Sequence, residues 1–261
     1  MIVDYHMHLR DADGRIDHSA GAVERFVETA ASRGVDEIGL TEHVYYFRQT
    51  RVFWQLPYEG GRCVYDLDAY VDAVLEAKRH GMPVKLGLEV DYVGGRQGEL
   101  AAVLEPYPWD YLLGSVHRVD GLAIDSAPDA EIWAAAPVDD VWRRYFAALS
   151  DLAASTHVDV LAHPDLPKIF GRRPAGGIEY PALQGVALEI STNGLYKPVG
   201  ELYPDLALLE SARLPITLAS DAHVPANVGR DFDRALELAR AAGYETVTVF
   251  EGRRPRQEPL G

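Results

Sequence analysis

Nearly every apolar run in this chain that reads as a β-strand ends on a histidine or a carboxylate, and helical patterns separate most of these runs. Predicted strands cover residues 2–8, 36–41, 84–89, 111–117, 158–163, 186–190, 215–220 and 246–250. Predicted helices cover 19–33, 67–80, 97–104, 138–152, 204–213 and 231–242. Local signals agree with these bounds. Ser19 is an N-cap residue, Gly34 and Gly81 are helix-ending glycines, and Val141, Trp142, Tyr145, Phe146, Leu149 and Leu152 recur at helical spacing. Strands alternating with helices predict a parallel sheet. Seven or eight such units in 261 residues favour an α/β fold of the (β/α), TIM-like barrel type over a doubly wound sheet. No Gly-x-Gly-x-x-Gly follows a strand, which weakens a dinucleotide-binding reading. With no repeat, low-complexity tract or linker, residues 1–261 are expected to form a single domain.

In a barrel of this kind the C-terminal ends of the strands share one rim, where the working groups sit. Those ends carry His6, His8, His43, Glu89, His117, His163, Asp221 and His223. His6 and His8 are two residues apart in one strand, so both imidazoles leave the same face. Gathering so many imidazoles and carboxylates in one mouth is costly unless a cation compensates, and divalent metal ions are that compensation. Mixed histidine and carboxylate ligands suit Zn, Mn or Fe better than Mg. His80 and His157 fall instead at helix C-termini, where the helix dipole favours a cation, and are expected to be structural.

The formal charge of −15 argues against a nucleic-acid partner, because phosphate backbones require basic surface. No apolar run is long enough to span a bilayer, so no membrane partner is expected. The N-terminus enters a strand at once, which speaks against a secretory signal, and Cys63 is the only cysteine. A cytoplasmic location is the expectation that follows. The loop at 44–66 is long and rich in aromatics, including Tyr45, Tyr46, Phe47, Phe53, Trp54 and Tyr58. It either packs against the barrel or forms a lid or wall of the substrate site.

The strand-end motifs resemble those of the PHP (polymerase and histidinol phosphatase) metal-dependent phosphoesterases. The likeness rests on His6-Met7-His8, Thr41-Glu42-His43, Gly87-Leu88-Glu89, Gly114-Ser115-Val116-His117, Leu161-Ala162-His163-Pro164 and Ser220-Asp221-Ala222-His223. The resemblance implies a distorted seven-stranded barrel with two or three divalent metal ions. It assigns His6, His8, Glu89 and Asp221 to the first ion. Glu89 would bridge to a second ion held by His117 and His163. A third would take His43, His223 and His18, the histidine just ahead of the first helix. The 8–18 segment looks longer than the family usually has, and Glu42 stands where the family often has Asp.

Hydrolysis of a phosphate monoester needs cations on the non-bridging oxygens and an activated water in line with the leaving oxygen. Lys168 and Lys197, two of only four lysines, follow the fifth and sixth strands closely and are the expected substrate-binding residues. Arg118, Arg172, Arg173 and Arg230 lie in similar loops and are read as solvated surface charges. The contexts of the two lysines look like the histidinol-phosphate phosphatase branch. That likeness implies a small phosphorylated metabolite as partner and hydrolysis of L-histidinol phosphate to L-histidinol and phosphate, a step of histidine synthesis. Asp221, Glu89 and His223 are the expected catalytic residues. Asp221 or a metal-bound water would protonate the leaving alkoxide, and Tyr45, Tyr46 or Phe47 would wall the imidazole end. The alternatives are a PHP phosphoesterase acting on a nucleotide or phosphotyrosine, an amidohydrolase-type barrel, and a non-catalytic PHP module that stabilises a partner protein.

Overall fold

The computed structural model of the protein describes residues 1–54 and 61–261. Strands β1 (Val3–Asp4), β2 (Glu37–Leu40) and β3 (Val84–Leu86) pair in parallel in that order. The chain continues with β4 (Glu89–Asp91), β5 (Leu113–Ser115), the short hairpin β6 (Arg118–Val119) and β7 (Leu122–Ala123), β8 (Val160–Leu161), β9 (Ala187–Ser191) and β10 (Ile216–Ala219). Of these, β4, β5, β8, β9 and β10 form a second parallel run in chain order.

Backbone hydrogen bonds join the two runs into a ring. On one side Tyr5 N–H donates to the Leu218 carbonyl at 2.9 Å and His8 N–H to the Ala222 carbonyl at 2.7 Å. On the other, Gly87 N–H donates to the Leu40 carbonyl at 2.9 Å and Glu89 N–H to the Glu42 carbonyl at 3.0 Å. Since β3 and β4 are successive parts of one segment, the ring has seven staves. It is the barrel that the strand–helix alternation predicts, in the distorted seven-stranded form that the family resemblance implies.

Strong amphipathy packs the helices on the outside. Helix α1 (Ala20–Ser32) is capped by Ser19, whose hydroxyl accepts the Ala22 N–H at 3.2 Å, and it buries Val23, Phe26 and Ala30. Asp66 caps α2 (Leu67–Arg79), which ends at His80 and Gly81. Shorter helices α3 (Gln97–Leu104) and α4 (Glu131–Ala135) precede α5 (Val138–Ala154), which buries the stripe from Val141 to Leu152. Helices α6 (Leu206–Ala212) and α7 (Phe232–Ala241) complete the outer layer. Inside the ring, the Tyr111 ring stacks on Tyr5 at 4.9 Å and its hydroxyl donates to the Tyr5 carbonyl at 2.7 Å. Gly39 and Gly87 carry no side chain because a Cβ at either would run into the Tyr111 ring.

Several expected bounds differ. The strands are shorter than the apolar runs, because the chain leaves the sheet where the histidines begin. Met7, for example, keeps only an isolated bridge to Ala222. The polar tail is not loose: β11 (Thr246–Glu251) pairs antiparallel with β12 (Arg254–Pro259). The 118–137 stretch, which lies between the predicted strand 111–117 and the predicted helix 138–152, contains the β6–β7 hairpin and α4. The aromatic loop contains two 3-10 turns, Val44–Tyr46 and Arg48–Phe53; residues 55–60, including Tyr58, lie outside the described residues. Among the described residues, no helix is long and apolar enough to cross a membrane.

Candidate metal centre

The C-terminal rim gathers the strand-end residues around Glu89, which is fully buried. Its Oε1 lies 3.6 Å from His6 Nε2, 3.4 Å from His117 Nε2 and 3.3 Å from His163 Nε2. Its Oε2 lies 3.7 Å from His8 Nε2 and 2.5 Å from His43 Nδ1. Asp221 Oδ1 faces the same group, 3.8 Å from His6 Nε2 and 3.5 Å from His8 Nε2. Four-coordinate zinc, with bonds of about 2.1 Å, sets its ligand atoms about 3.4 Å apart. Most of these separations are of that size, and too long for good hydrogen bonds.

The donor atoms therefore suit cations. Among the described residues, three groups of side chains place their ligand atoms within 4.8 Å of one another: His6, His8 and Asp221; His6, Glu89 and His163; and His8, His43 and His223. Glu89 Oε2 and His43 Nδ1 are buried and lack a properly oriented hydrogen-bond partner among the described residues. Such groups are normally satisfied in a native interior, and a divalent ion would satisfy them here.

His18 departs from the expectation. The structure brings His8, rather than His18, beside His43 and His223. The excursion between Leu9 and Asp17 folds back on itself, Asp17 N–H donating to the Leu9 carbonyl at 3.0 Å. His18 consequently sits behind Glu42, its Nε2 3.3 Å from Glu42 Oε1 and its ring among Phe47, Tyr65 and Tyr70. His80 and His157 stay outside the centre; the former caps α2 and pairs with Glu76.

Lys168 also requires correction. It is fully buried and does not line the cavity over the centre. Its ammonium lies 2.7 Å from Asp165 and 2.5 Å from Asp205, with the Tyr203 ring beneath it. A buried charge must be paired, and these two carboxylates hold it away from the mouth. Lys197 does line the cavity.

Carboxylates behind the ligands fix their orientation. Glu189 Oε2 accepts a hydrogen bond from His6 Nδ1–H at 2.7 Å, while Glu189 Oε1 accepts the His163 backbone N–H at 3.1 Å. Asp91 plays the same part for His117, at 2.6 Å from Nδ1. Asp4, two residues before His6 and buried with it, accepts from Ser220 N–H at 2.8 Å, Ser220 hydroxyl at 2.6 Å and Gly229 N–H at 2.8 Å. These bonds anchor the segment that carries Asp221. Asn193 donates its amide to Asp221 Oδ2 and receives Arg230 on its own oxygen at 2.7 Å. Both His163 (φ 29°) and Asp221 (φ 48°) hold the left-handed backbone conformation, a cost of about 1–3 kcal/mol each that the surrounding bonds must offset.

The titration pattern follows from burial and neighbours. Burial pushes the Glu89 carboxyl up, but the His43, His117 and His6 charges outweigh it and hold it well below the usual range. Asp221 behaves alike: burial raises it, and His6, His8 and His223 lower it further. For His6, burial opposes protonation, yet Glu189, Asp221 and Glu89 raise its pKa well above the ordinary value. In His117 burial is likewise overcome by Asp91 and Glu89, which push it up to about 10. His43 falls to about 3 and His223 to about 4, first through burial and then through the charge on His8.

Above the centre opens a cavity of about 790 Å³, walled by Tyr45 and Tyr46, and Arg10, Arg62, Arg118 and Lys197 are among the residues that line it. Arg10 is held by the Tyr46 hydroxyl at 2.8 Å. Arg118 thus borders the cavity, whereas Arg172 caps over Trp133 and Arg173 pairs with Glu201. Glu189, Asp91, Asp4, Asn193, Arg10 and Arg62 are missing from the sequence-based site. Glu189 left a trace, a lone carboxylate inside the apolar run Val186-Ala187-Leu188-Glu189-Ile190, and Asp4 shares the strand parity of His6. The arginines left none, because they come from irregular segments.

A family model described as PHP domain matches residues 4–193. The chain is 30% identical over 240 residues to a probable histidinol-phosphatase of Deinococcus radiodurans, covering 88% of this chain and 91% of that one. It is 23% identical over 271 residues to a histidinol-phosphatase of Lactococcus lactis subsp. lactis, covering 96% and 94%. Among solved structures, the L. lactis histidinol phosphate phosphatase, crystallised with zinc, L-histidinol and phosphate, superposes with a TM-score of 0.69 at 20% identity over 98% of both chains. That superposition supports the barrel.

Proposed function

The chain belongs to the PHP domain family, and on that premise we propose that it is a divalent-metal-dependent phosphomonoesterase acting on L-histidinol phosphate. The observation that carries the reading is Glu89, a buried carboxylate ringed by His6, His8, His43, His117 and His163 at the floor of a cavity that basic side chains also line. Relatives named for histidinol phosphate hydrolysis, matched over most of their length, support the substrate.

His6, His8 and Asp221 would hold one ion, Glu89, His117 and His163 a second, and His43 and His223 beside His8 a third. Such ions, when bound, supply positive charge for the phosphate oxygens and make a water more acidic. The remaining work belongs to the chain. Lys197, Arg10 and Arg62 place fixed positive charge along the cavity wall, where it draws and orients the phosphate. Glu189 and Asp91 lock the imidazoles of His6 and His117, so the centre does not reorganise as charge moves. In the overall reaction the ester P–O bond breaks, water oxygen joins phosphorus, and a water proton ends on the histidinol oxygen. Asn193 occupies one oxygen of Asp221, leaving the other directed at the imidazoles.

Phosphate release from histidinol phosphate, p-nitrophenyl phosphate, nucleoside monophosphates and phosphotyrosine, with zinc or manganese supplied, tests the proposal. The expected result is a kcat/KM for histidinol phosphate at least tenfold above the others. Preference for a nucleotide or phosphotyrosine would remove the substrate assignment while leaving the phosphoesterase chemistry in place.

A further inference from the structure

The cavity is not uniformly cationic. Besides Arg10, Arg62, Arg118 and Lys197, its wall carries two carboxylates outside the metal centre, Asp125 and Glu131. Glu131 is exposed at the outer lip, whereas Asp125 is partly buried. Asp125 is delivered there by a supported segment. Ile124, its chain neighbour, donates its N–H to the His117 carbonyl at 3.0 Å, closing the β6–β7 hairpin, and its carbonyl accepts the Trp133 indole N–H at 3.2 Å. Ile124 is fully buried, so the alternation along this short extended stretch turns Ala123 and Asp125 towards the cavity. The Asp125 carboxylate forms no hydrogen bond or ion pair with any described residue, although Arg118 and Lys197 border the same cavity. Its field reaches the floor of the site, where it helps favour the charged form of His117.

We propose that Asp125 is a specificity residue that pairs with an ammonium group carried by the phosphate ester. The inference rests on the histidinol phosphate reading and deepens it. In that substrate a primary ammonium is attached to the carbon next to the ester methylene, so a cation lies a few bonds from the dianionic phosphate. A cavity that holds metal ligands, basic side chains and a carboxylate with no partner among the described residues offers a place for both charges of such an ester. A simple aryl or alkyl phosphate leaves Asp125 without a partner and gains nothing from it. The chemistry selected is therefore that of a phosphate monoester with a neighbouring amine.

The test compares three substrates in the zinc-loaded wild type and in Asp125→Asn, an isosteric change at a partly exposed position. They are histidinol phosphate, its deamino analogue 3-(imidazol-4-yl)propyl phosphate, and p-nitrophenyl phosphate. Metal content is measured on both proteins. A charge-assisted hydrogen bond predicts that Asp125→Asn lowers kcat/KM for histidinol phosphate by about 10- to 100-fold. The two amine-free substrates should change by less than about twofold, with the bound metal unchanged. Equal losses on all three substrates, a fall in metal content, or no loss at all would overturn the inference while leaving the substrate assignment intact. If the wild type turns over p-nitrophenyl phosphate but not histidinol phosphate, both the substrate assignment and this inference fail.

Discussion

His6 Nδ1 lies 2.7 Å from Glu189 Oε2, and both side chains are fully sealed from solvent. The second oxygen of Glu189 is occupied by the backbone N–H of His163. One carboxylate on β9 thus orients two residues of the centre that are 157 positions apart in sequence (163 − 6). Glu189→Gln keeps the shape but supplies only one oxygen for two donors. It should weaken metal binding by about 10- to 100-fold, read by zinc titration against a chelating indicator. Unchanged affinity would mean that Glu189 is only a buried structural acid.

Lys168 is a keystone between two loops. Its pairs with Asp165 and Asp205 tie the segment after His163 to the one before α6, and Asp165 also accepts the Asp205 N–H at 2.8 Å. Burial, against the pull of Lys168, already pushes Asp165 up to about 6. Lys168→Met would leave a buried carboxylate without its cation, so unfolding stability should fall by about 3–5 kcal/mol in a denaturant titration. A direct phosphate contact would instead show as a raised KM with stability intact.

The centre should bind metal with release of protons. In the metal-free chain His6 and His117 have pKa values well above the ordinary imidazole range, that of His117 reaching about 10, so at pH 7 they carry protons that ligation must displace. Apparent affinity should therefore climb between pH 7 and about pH 10, and calorimetry in buffers of different ionisation enthalpy should show net proton release. The same shift fixes the sign for stability. A folded pKa above the unfolded 6.5 gives His117 a stabilising contribution that is complete below pH 6.5 and lost as pH rises through about 10. Metal-free protein should lose stability over that window, and loaded protein should lose less of it.

Gly39 is where β2 passes the Tyr111 ring inside the barrel. A methyl group there would overlap the Tyr111 hydroxyl, which is held by the Tyr5 carbonyl. Gly39→Ala should cost about 1–3 kcal/mol by overpacking, visible as a lower midpoint in thermal denaturation. A neutral result would show that Tyr111 can swing aside.

The barrel was legible because parallel strands and amphipathic helices leave separate periods in the sequence, and because His6, His8, Glu89 and Asp221 stand at strand ends. Strand ends were less legible. Where an imidazole turns into the mouth the backbone leaves the ladder, as at Met7, although the apolar pattern runs on. Lys168 and His18 misled for one shared reason: sequence shows that a charged group lies near the rim, not which carboxylate it meets first. Asp165 and Asp205 claim the lysine and Glu42 claims the histidine. The polar tail hid β12 because an edge strand exposed on most of its length needs no apolar alternation.

Elemental analysis of the protein after zinc loading and desalting bears most directly on the centre. The wild type should carry more than one zinc ion per chain, and Glu89→Ala, which removes the carboxylate between His6, His43, His117 and His163, should carry fewer while remaining folded by circular dichroism. A wild type that retains no zinc, or a Glu89→Ala chain that retains as much as the wild type, would contradict the account.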